Sequence, residues 1–300
     1  MIYASQVRKS FGEKEILKGI DLEIEKGKVF GLLGPSGAGK TTLIKLLTGQ
    51  IPADGGEVRI LGKEVEKLTG RDKMRIGIMM DNFGLYERFS CYENLKIFAD
   101  LYGVPKNQIV IKLKEVGLYD SIKTPAMKLS KGMRNRLQLA RVFLQEPEIM
   151  FLDEPTSGLD PANTEEIHRL ILEKVQKGCT VFLTTHNMAE AEKLCEKIAL
   201  LNEGNIVEQG HPKEICRKYN HQKKIYIHRY DGEDEELSNN STAAERLYRL
   251  MQEEQIETIH STEPNLESVF IESRGILIVL CNMIVASVLF VAAYKKNGLE

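Results

Sequence analysis

Short apolar runs along most of the chain predict buried strands. Val29–Leu33, Ile149–Leu152 and Thr180–Thr184 are too short for helices and carry few polar positions. Ile2–Val7 and Ile16–Ile24 instead alternate apolar and polar positions, as strands with one exposed face do. Because helical patterns separate the buried runs, the chain is predicted to have an α/β fold with a mostly parallel core sheet and a separate antiparallel part.

A glycine-rich turn joins the first buried run to a helical pattern. Glycines let the backbone amides of such a turn point at an anion, and the helix start adds the positive end of its dipole. Lys40 would neutralise phosphate and the Thr41 hydroxyl would bind magnesium, as in a phosphate-binding loop. A chance glycine-rich turn is the alternative, and the flanking strand and helix argue against it. The predicted contacts are Gly34, Pro35, Ser36, Gly37, Ala38, Gly39, Lys40, Thr41 and Thr42.

Two later strands end in side chains that suit phosphate chemistry. Asp153 and Glu154 follow the second buried run, where Asp153 could reach a magnesium ion and Glu154 could polarise a water. A solvated turn is the alternative for this pair. His186 follows the third run, and a lone histidine is most often structural, but ligands bind at this edge of a parallel sheet.

Phe11, Ser90–Glu93 and Ser130 carry further local signals. Phe11 could stack on a nucleotide base or could be a core aromatic. Ser90–Glu93 has the form of a capping box, and it predicts a helix that starts there. Ser130 is a plausible helix N-cap. An all-helical insertion is predicted over about residues 82–137.

Net charge and cysteine content limit the functional classes and the cellular compartments that the sequence fits. The net charge of −2 argues against nucleic-acid binding, because a nucleic-acid binder usually carries a basic field. The five cysteines include no C-x-x-C pair, which fits free thiols in a reducing compartment. No signal peptide is expected, because residues 1–11 have no apolar core.

The stretch from Met1 to about Cys216 resembles the ATPase subunit of ATP-binding-cassette (ABC) transporters, because several motifs occur in that family's order. The resemblance implies ATP and Mg²⁺ as ligands, with Phe11 on the adenine. It implies that Asp153 and Thr41 bind the metal, Glu154 is the catalytic base and His186 contacts the γ-phosphate. The family signature matches Leu129–Met133, and the turn that couples the two active sites matches Ser157–Asp160. The implied contacts to the nucleotide of a second subunit are Ser130, Lys131, Gly132 and Asp160.

Three positions depart from the family pattern. Asp81 stands where a glutamine is usual; a carboxylate could still bind magnesium or assist catalysis, but it adds negative charge near a triphosphate. The signature reads L-S-K-G-M, so that Lys131 adds positive charge and Met133 lacks the hydrogen bonds of a glutamine. These changes affect the expected hydrolysis rate more than ATP binding. Variants of this kind are similar to exporter ATPases of the bacitracin-resistance, lantibiotic-immunity and cytolytic-peptide (phenol-soluble modulin) type.

The chain after the cassette changes in character. A small α/β domain is predicted over residues 217–273, with a strand at Lys224–Tyr230 and a solvated acidic loop at Asp231–Glu236. Gly275–Tyr294 has no charged residue and is long enough for a helix that crosses a bilayer. A membrane anchor over residues 274–296 is therefore the prediction. The alternatives are an interfacial or re-entrant helix, a helix packed on the transporter's own spans, and the start of a longer membrane domain.

The resemblance implies an exporter ATPase that dimerises around two Mg-ATP and works with an integral membrane permease. The second subunit could be another copy or a paralogue, and the expected location is the cytoplasmic face of a bacterial cell membrane. The alternatives are a nucleotide-gated sensor or immunity subunit that hydrolyses ATP weakly, and a soluble non-transport ABC ATPase. The cargo is not encoded here, and peptide export follows from the resemblance alone.

Overall fold

The computed structural model describes residues 1–80, 84–219, 224–261 and 264–272. The chain divides into two compact units, Met1–His211 and a second that begins at Pro212. The strands of the first unit are β1 (Ile2–Phe11), β2 (Lys14–Ile24), β3 (Val29–Leu33), β4 (Gly55–Ile60), β5 (Lys63–Glu64), β6 (Ile76–Met79), β7 (Ile149–Asp153), β8 (Thr180–Thr185), β9 (Lys197–Asn202) and β10 (Asn205–Gly210). Its helices are α1 (Lys40–Leu47), α2 (Gly70–Met74), α3 (Cys91–Tyr102), α4 (Asn107–Glu115), α5 (Lys131–Phe143), α6 (Pro161–Gln176) and α7 (Met188–Leu194).

The central sheet has the strand order β10-β9-β3-β8-β7-β6. Its strands run parallel except for β10, which pairs antiparallel with β9. β3, β7 and β8 are buried along their whole length, as continuous apolar strands in a sheet covered on both faces should be. The rings of Phe30, Phe182 and Phe151 pack in sequence across these strands, at centroid distances of 5.6 and 5.5 Å. The predicted α/β core is therefore confirmed.

A second, antiparallel sheet has the order β2-β1-β4-β5. Alternate residues of β1 and β2 are buried, which the alternation in the sequence predicted. Leu17 and Ile20 of β2 share one hydrophobic cluster with Leu43 and Ile44 of α1. This cluster holds the antiparallel sheet beside the helix that begins after the glycine-rich loop.

The predicted helical insertion begins with a capped helix. Ser90 accepts a hydrogen bond from the Glu93 amide at 3.2 Å, and the Glu93 carboxylate accepts one from the Ser90 amide at 2.8 Å. Gly103 ends α3 in the left-handed conformation. The predicted end of the insertion near Leu137 falls within a continuous helix, because α5 runs on to Phe143.

The second unit contains a three-stranded sheet with the order β12-β11-β13. The prediction of a loop over Asp231–Glu236 is wrong in its second half, because β12 begins at Asp234. Ion pairs across the strands explain this: Lys224 lies 2.5 Å from Glu236, and His228 lies 2.5 Å from Asp234. Residues 266–272 are helical. The other elements are α8 (Pro212–Lys218), β11 (Lys224–Arg229), β12 (Asp234–Ser238), α9 (Ser241–Gln252) and β13 (Ile256–Ser261).

Among the described residues, none of the helices combines the length and the apolar character needed to cross a bilayer. The apolar segment Gly275–Tyr294, which the sequence suggests as a membrane anchor, lies outside the described residues.

Candidate functional site

Three strands of the central sheet bring the predicted phosphate-binding and catalytic residues to one edge. The glycine-rich loop follows β3, the carboxylate pair ends and follows β7, and His186 follows β8. The strands are parallel and in register, with Leu33 opposite Thr185 and Asp153 opposite Thr184. The side chains that follow these strands therefore meet, as the carboxyl ends of parallel strands do.

The loop between β3 and α1 needs glycine for steric reasons. A Cβ atom at Gly34 would lie 2.3 Å from the backbone oxygen of Leu201, so no other residue fits without a shift of β9. Gly39 adopts a φ of 112° and is the N-cap of α1 without a side-chain acceptor. The first amides of α1 are therefore not capped by Gly39, which suits an anion bound at this helix start.

Lys40 is buried at the base of the loop. Its Nζ donates a hydrogen bond to the Gly34 oxygen at 2.7 Å and lies 3.2 Å from Oε1 of Glu154. The ammonium group is thus held beside the loop at the end of β3. A cation at this position can neutralise the charge of a bound phosphate group.

Asp153 is only 4% exposed and accepts two hydrogen bonds from threonine hydroxyls. Thr41 Oγ1 lies 2.8 Å from Oδ2, and Thr184 Oγ1 lies 2.5 Å from Oδ1. A carboxylate next to a hydroxyl forms a hard oxygen donor set that fits Mg²⁺. Thr184 was not predicted as a site residue, and only its position at a strand end beside Asp153 could have indicated it.

Glu154 is held in the left-handed conformation, with a φ of 50°. Its amide donates to the backbone oxygen of Thr184 at 3.1 Å, and its Oε2 lies 2.7 Å from Nδ1 of His186. The carboxylate therefore lies between the Lys40 ammonium and an imidazole ring. A carboxylate held in this way can accept a proton from a water molecule.

The signature helix α5 begins beside the turn that follows Glu154. Ser130 caps the helix by accepting a hydrogen bond from the Met133 amide at 3.2 Å, as its N-cap prediction required. Asn135 Nδ2 donates to the oxygen of Pro155 at 2.7 Å. Gly132 packs so closely on α6 that a Cβ atom there would lie 2.4 Å from Oδ1 of Asn163.

Lys131 is exposed and lines a cavity that the carboxylate pair of its own chain also lines. A cavity of about 490 Å³ is lined by Lys131 together with Asp153 and Glu154. A Cβ atom at Gly158 would lie 2.6 Å from the Nζ of Lys131, which places the ammonium over the coupling turn. The positive charge of this unusual signature residue therefore lies beside the turn Ser157–Asp160.

The remaining predicted residues lie around this centre. Asp160 is the N-cap of α6, and hydrogen bonds from the amide and side chain of Asn163 lower the pKa of its carboxyl. Phe11 ends β1 and is 54% exposed. Asp81 lies outside the described residues. In the part of the chain that the structure describes, hydrogen bonds and ion pairs connect Lys40 with Glu154, Thr41 with Asp153, and Glu154 with His186.

Comparison with known proteins identifies relatives over most of the chain. The family profile described as ABC transporter matches residues 17–157. The fluoroquinolones export ATP-binding protein of Mycobacterium tuberculosis is 38% identical over 86% of this chain and 87% of its own length. The linearmycin resistance ATP-binding protein LnrL of Bacillus subtilis is 34% identical over 73% and 71%. The lantibiotic transport ATP-binding protein SrtF of Streptococcus pyogenes is 35% identical over 69% and 89%.

Solved structures show the same fold. The ATP-binding subunit of an ABC transporter matches with a TM-score of 0.66 and 25% identity over 73% of this chain and 93% of its own. An ATP-binding cassette solved as a dimer in a post-hydrolysis state, with ADP and Pi bound, matches with a TM-score of 0.63 and 25% identity over 70% and 98%.

Proposed function

Because the chain belongs to the ATP-binding proteins of ABC transporters and is an ATPase, we propose that it powers the export of antibiotic-like or peptide cargo through a separate membrane permease. Relatives that share about a third of its sequence are named for fluoroquinolone export, linearmycin resistance and lantibiotic transport. These names support an export role and a cargo of this kind. The cargo itself would be selected by the permease.

The observation that carries the proposal is the set of contacts at the edge of the central sheet. Lys40 lies 3.2 Å from Glu154, and Glu154 lies 2.7 Å from His186. Thr41 at the start of α1 lies 2.8 Å from Asp153 at the end of β7. These five side chains supply a cation for phosphate, two oxygen ligands for a metal, a carboxylate base and an imidazole.

We assign the roles as follows. The loop amides and Lys40 bind the β- and γ-phosphates, and Phe11 stacks on the adenine. Thr41 and Asp153 would hold Mg²⁺, which supplies charge neutralisation at the phosphate oxygens. Glu154 orients the attacking water and takes its proton, and His186 holds the Glu154 carboxylate in place and faces the γ-phosphate.

The site is completed by a second subunit in this proposal. Ser130 and Lys131 lie exposed at the start of α5, where the helix dipole and the lysine favour a phosphate group. They would bind the γ-phosphate held by another copy or a paralogue, and Asp160 would lie at that interface. The assembly would work at the cytoplasmic face of a bacterial cell membrane, where the permease binds it.

Glu154→Gln tests the assignment of the base. The substitution keeps the size of the side chain but removes its ability to accept a proton, so we expect kcat to fall by about 100- to 10,000-fold. ATP binding should persist, and the variant should accumulate as an ATP-bound dimer in gel filtration.

Glu173→Gln is the matched control, because Glu173 lies on the surface of α6 and pairs with Arg169. It should hydrolyse ATP at the unmodified rate. If Glu154→Gln also hydrolyses at that rate, Glu154 is not the base.

A further inference from the structure

A buried carboxylate on α7 joins three separate parts of the first unit. Glu190 is 3% exposed. It accepts hydrogen bonds from Thr156 Oγ1 at 2.6 Å and from Thr185 Oγ1 at 2.7 Å, and His168 Nε2 lies 2.9 Å from its Oε1. The partners come from the turn after β7, the end of β8 and the middle of α6. One carboxylate is therefore the common acceptor for three elements that are distant in the sequence.

Two of these partners are neighbours of the residues that meet at the candidate site. Thr156 lies two positions after Glu154, and Thr185 directly precedes His186. Glu154 has a φ of 50°, a conformation that residues other than glycine adopt only where the surroundings impose it. The hydroxyl of Thr156 fixes the turn that follows this residue. The hydrogen bond from Thr185 fixes the backbone that presents His186.

The hydrogen bonds keep the Glu190 carboxylate ionised in the interior. Burial alone would raise the pKa of Glu190, but hydrogen bonds from His168, Thr156 and Thr185 outweigh burial and lower it. Nδ1 of His168 has no hydrogen-bond partner among the residues described. Every group that faces Glu190 in this network is thus a donor.

We propose that Glu190 is a positioning residue for ATP hydrolysis, whose buried carboxylate holds the turn after Glu154 and the strand end before His186 as one rigid unit. The contact between Glu154 and His186 then depends on a residue that touches neither of them directly. The proposal rests on the roles assigned above to Glu154 and His186. It predicts that loss of the Glu190 carboxylate impairs the chemical step and spares nucleotide binding, because the loop and Lys40 lie on other elements.

Glu190→Gln in the full-length chain tests this. The amide replaces one carboxylate oxygen with an NH₂ group, so at least one of the three donors loses its acceptor. We expect kcat for ATP hydrolysis to fall on the order of 100-fold, as misplacement of catalytic groups does. The KM for ATP, and the Kd for ATP from equilibrium binding, should stay within about twofold of the unmodified chain, since a positioning defect leaves ground-state binding intact.

Glu192→Gln is the matched control, with the same chemical change at an exposed position of the same helix. It should leave kcat unchanged. Thr185→Val, which keeps the side-chain shape, should lower kcat in the same direction with KM preserved. Combined with Glu190→Gln it should add less than its own effect, because both changes weaken the same hydrogen-bond network around Glu190.

The proposal is overturned if Glu190→Gln has a kcat within twofold of the unmodified chain, or if kcat and ATP affinity fall together in a protein with unchanged circular dichroism. If Glu190→Gln fails to fold, Thr185→Val decides, and an unmodified kcat for that variant overturns the proposal. An inactive Glu154→Gln alongside a fully active Glu190→Gln would refute only the positioning role. A fully active Glu154→Gln would refute the base assignment itself.

Discussion

Glu115→Gln is expected to destabilise the first unit, because Glu115 belongs to a charge cluster that joins α4 to α6. Its carboxylate lies 2.7 Å from the Nζ of Lys174 on α6 and 3.2 Å from the Nζ of Lys112 on α4. Both lysine side chains are only 5% exposed. Glu146 also contacts both lysines, but its side chain is 63% exposed. Glu115 is therefore the more deeply buried counter-charge of the pair of carboxylates.

The size of the effect follows from the burial of the lysines. Removing one member of a buried ion pair costs about 3–5 kcal/mol where the remaining charge stays buried without compensation. Glu146 still contacts both lysines after Glu115→Gln, so the loss should be smaller, about 1–3 kcal/mol. For a domain of this size each kcal/mol lowers Tm by about 2–4 °C, so Glu115→Gln should lower Tm by about 2–12 °C. The chain contains no tryptophan, so unfolding is best followed by calorimetry or far-UV circular dichroism.

Two variants make the measurement specific. Glu173→Gln changes a surface carboxylate of α6 and should shift the free energy of unfolding by no more than about 0.5 kcal/mol. Glu115→Gln combined with Lys174→Met removes one charge of each sign and should recover part of the lost stability. A Glu115→Gln variant as stable as the Glu173→Gln control would refute the reasoning, and so would a double variant less stable than the sum of the single changes.

The loss of stability caused by Glu115→Gln should also depend on pH. Burial alone would raise the pKa of Glu115, but the two ammonium groups outweigh it and lower the pKa below its ordinary value of 4.5. A carboxyl with a lowered pKa in the folded state contributes stability above that ordinary value, and the contribution is lost as pH falls through the folded-state pKa. The difference between the unmodified chain and Glu115→Gln should therefore be largest above pH 4.5 and should narrow in acid.

Three further changes probe the nucleotide site. Thr184→Val removes the hydroxyl that donates to Asp153. It should raise the magnesium concentration needed for half-maximal ATP hydrolysis by about 10- to 100-fold, and an unchanged magnesium titration would contradict this. Phe11→Ala should weaken ATP binding by about tenfold while Phe11→Tyr preserves it, if the ring stacks on the base; equal affinities in a fluorescence titration would exclude stacking. Gly34→Ala should abolish ATP binding because its Cβ atom would meet a backbone oxygen of β9 at 2.3 Å. A Cβ atom at Gly70 has no atom of the described residues within 4 Å, so Gly70→Ala should bind ATP normally in the same titration.

The loop and the carboxylate pair could be predicted because each is a contiguous motif at the end of a short apolar run. Parallel strands then bring the motifs together, so the contacts of Lys40 with Glu154 and of Thr41 with Asp153 follow from the order of the sheet. The role of Asp81 was predicted from the family resemblance alone and stays a prediction.

The Glu190 network could not be predicted, because its members are far apart in the sequence and each one looks ordinary. Glu190 lies in the first turn of α7, which begins at Met188 with Asn187 as its N-cap. Only the packing of α6 and α7 on the strand ends brings His168 and Glu190 within 2.9 Å. The second half of the acidic segment was assigned to a loop from composition alone, which ignores cross-strand partners such as Lys224.

The central claim is that two copies share each ATP, with Lys40 of one copy and Ser130 of the other on the same nucleotide. The most direct test mixes two inactive full-length variants, Lys40→Ala and Ser130→Phe, and measures ATP hydrolysis. A mixed dimer would contain one intact site, so random exchange should restore about a quarter of the unmodified rate. If the mixture stays as inactive as its components although the two variants form a mixed dimer, each ATP is not shared between copies.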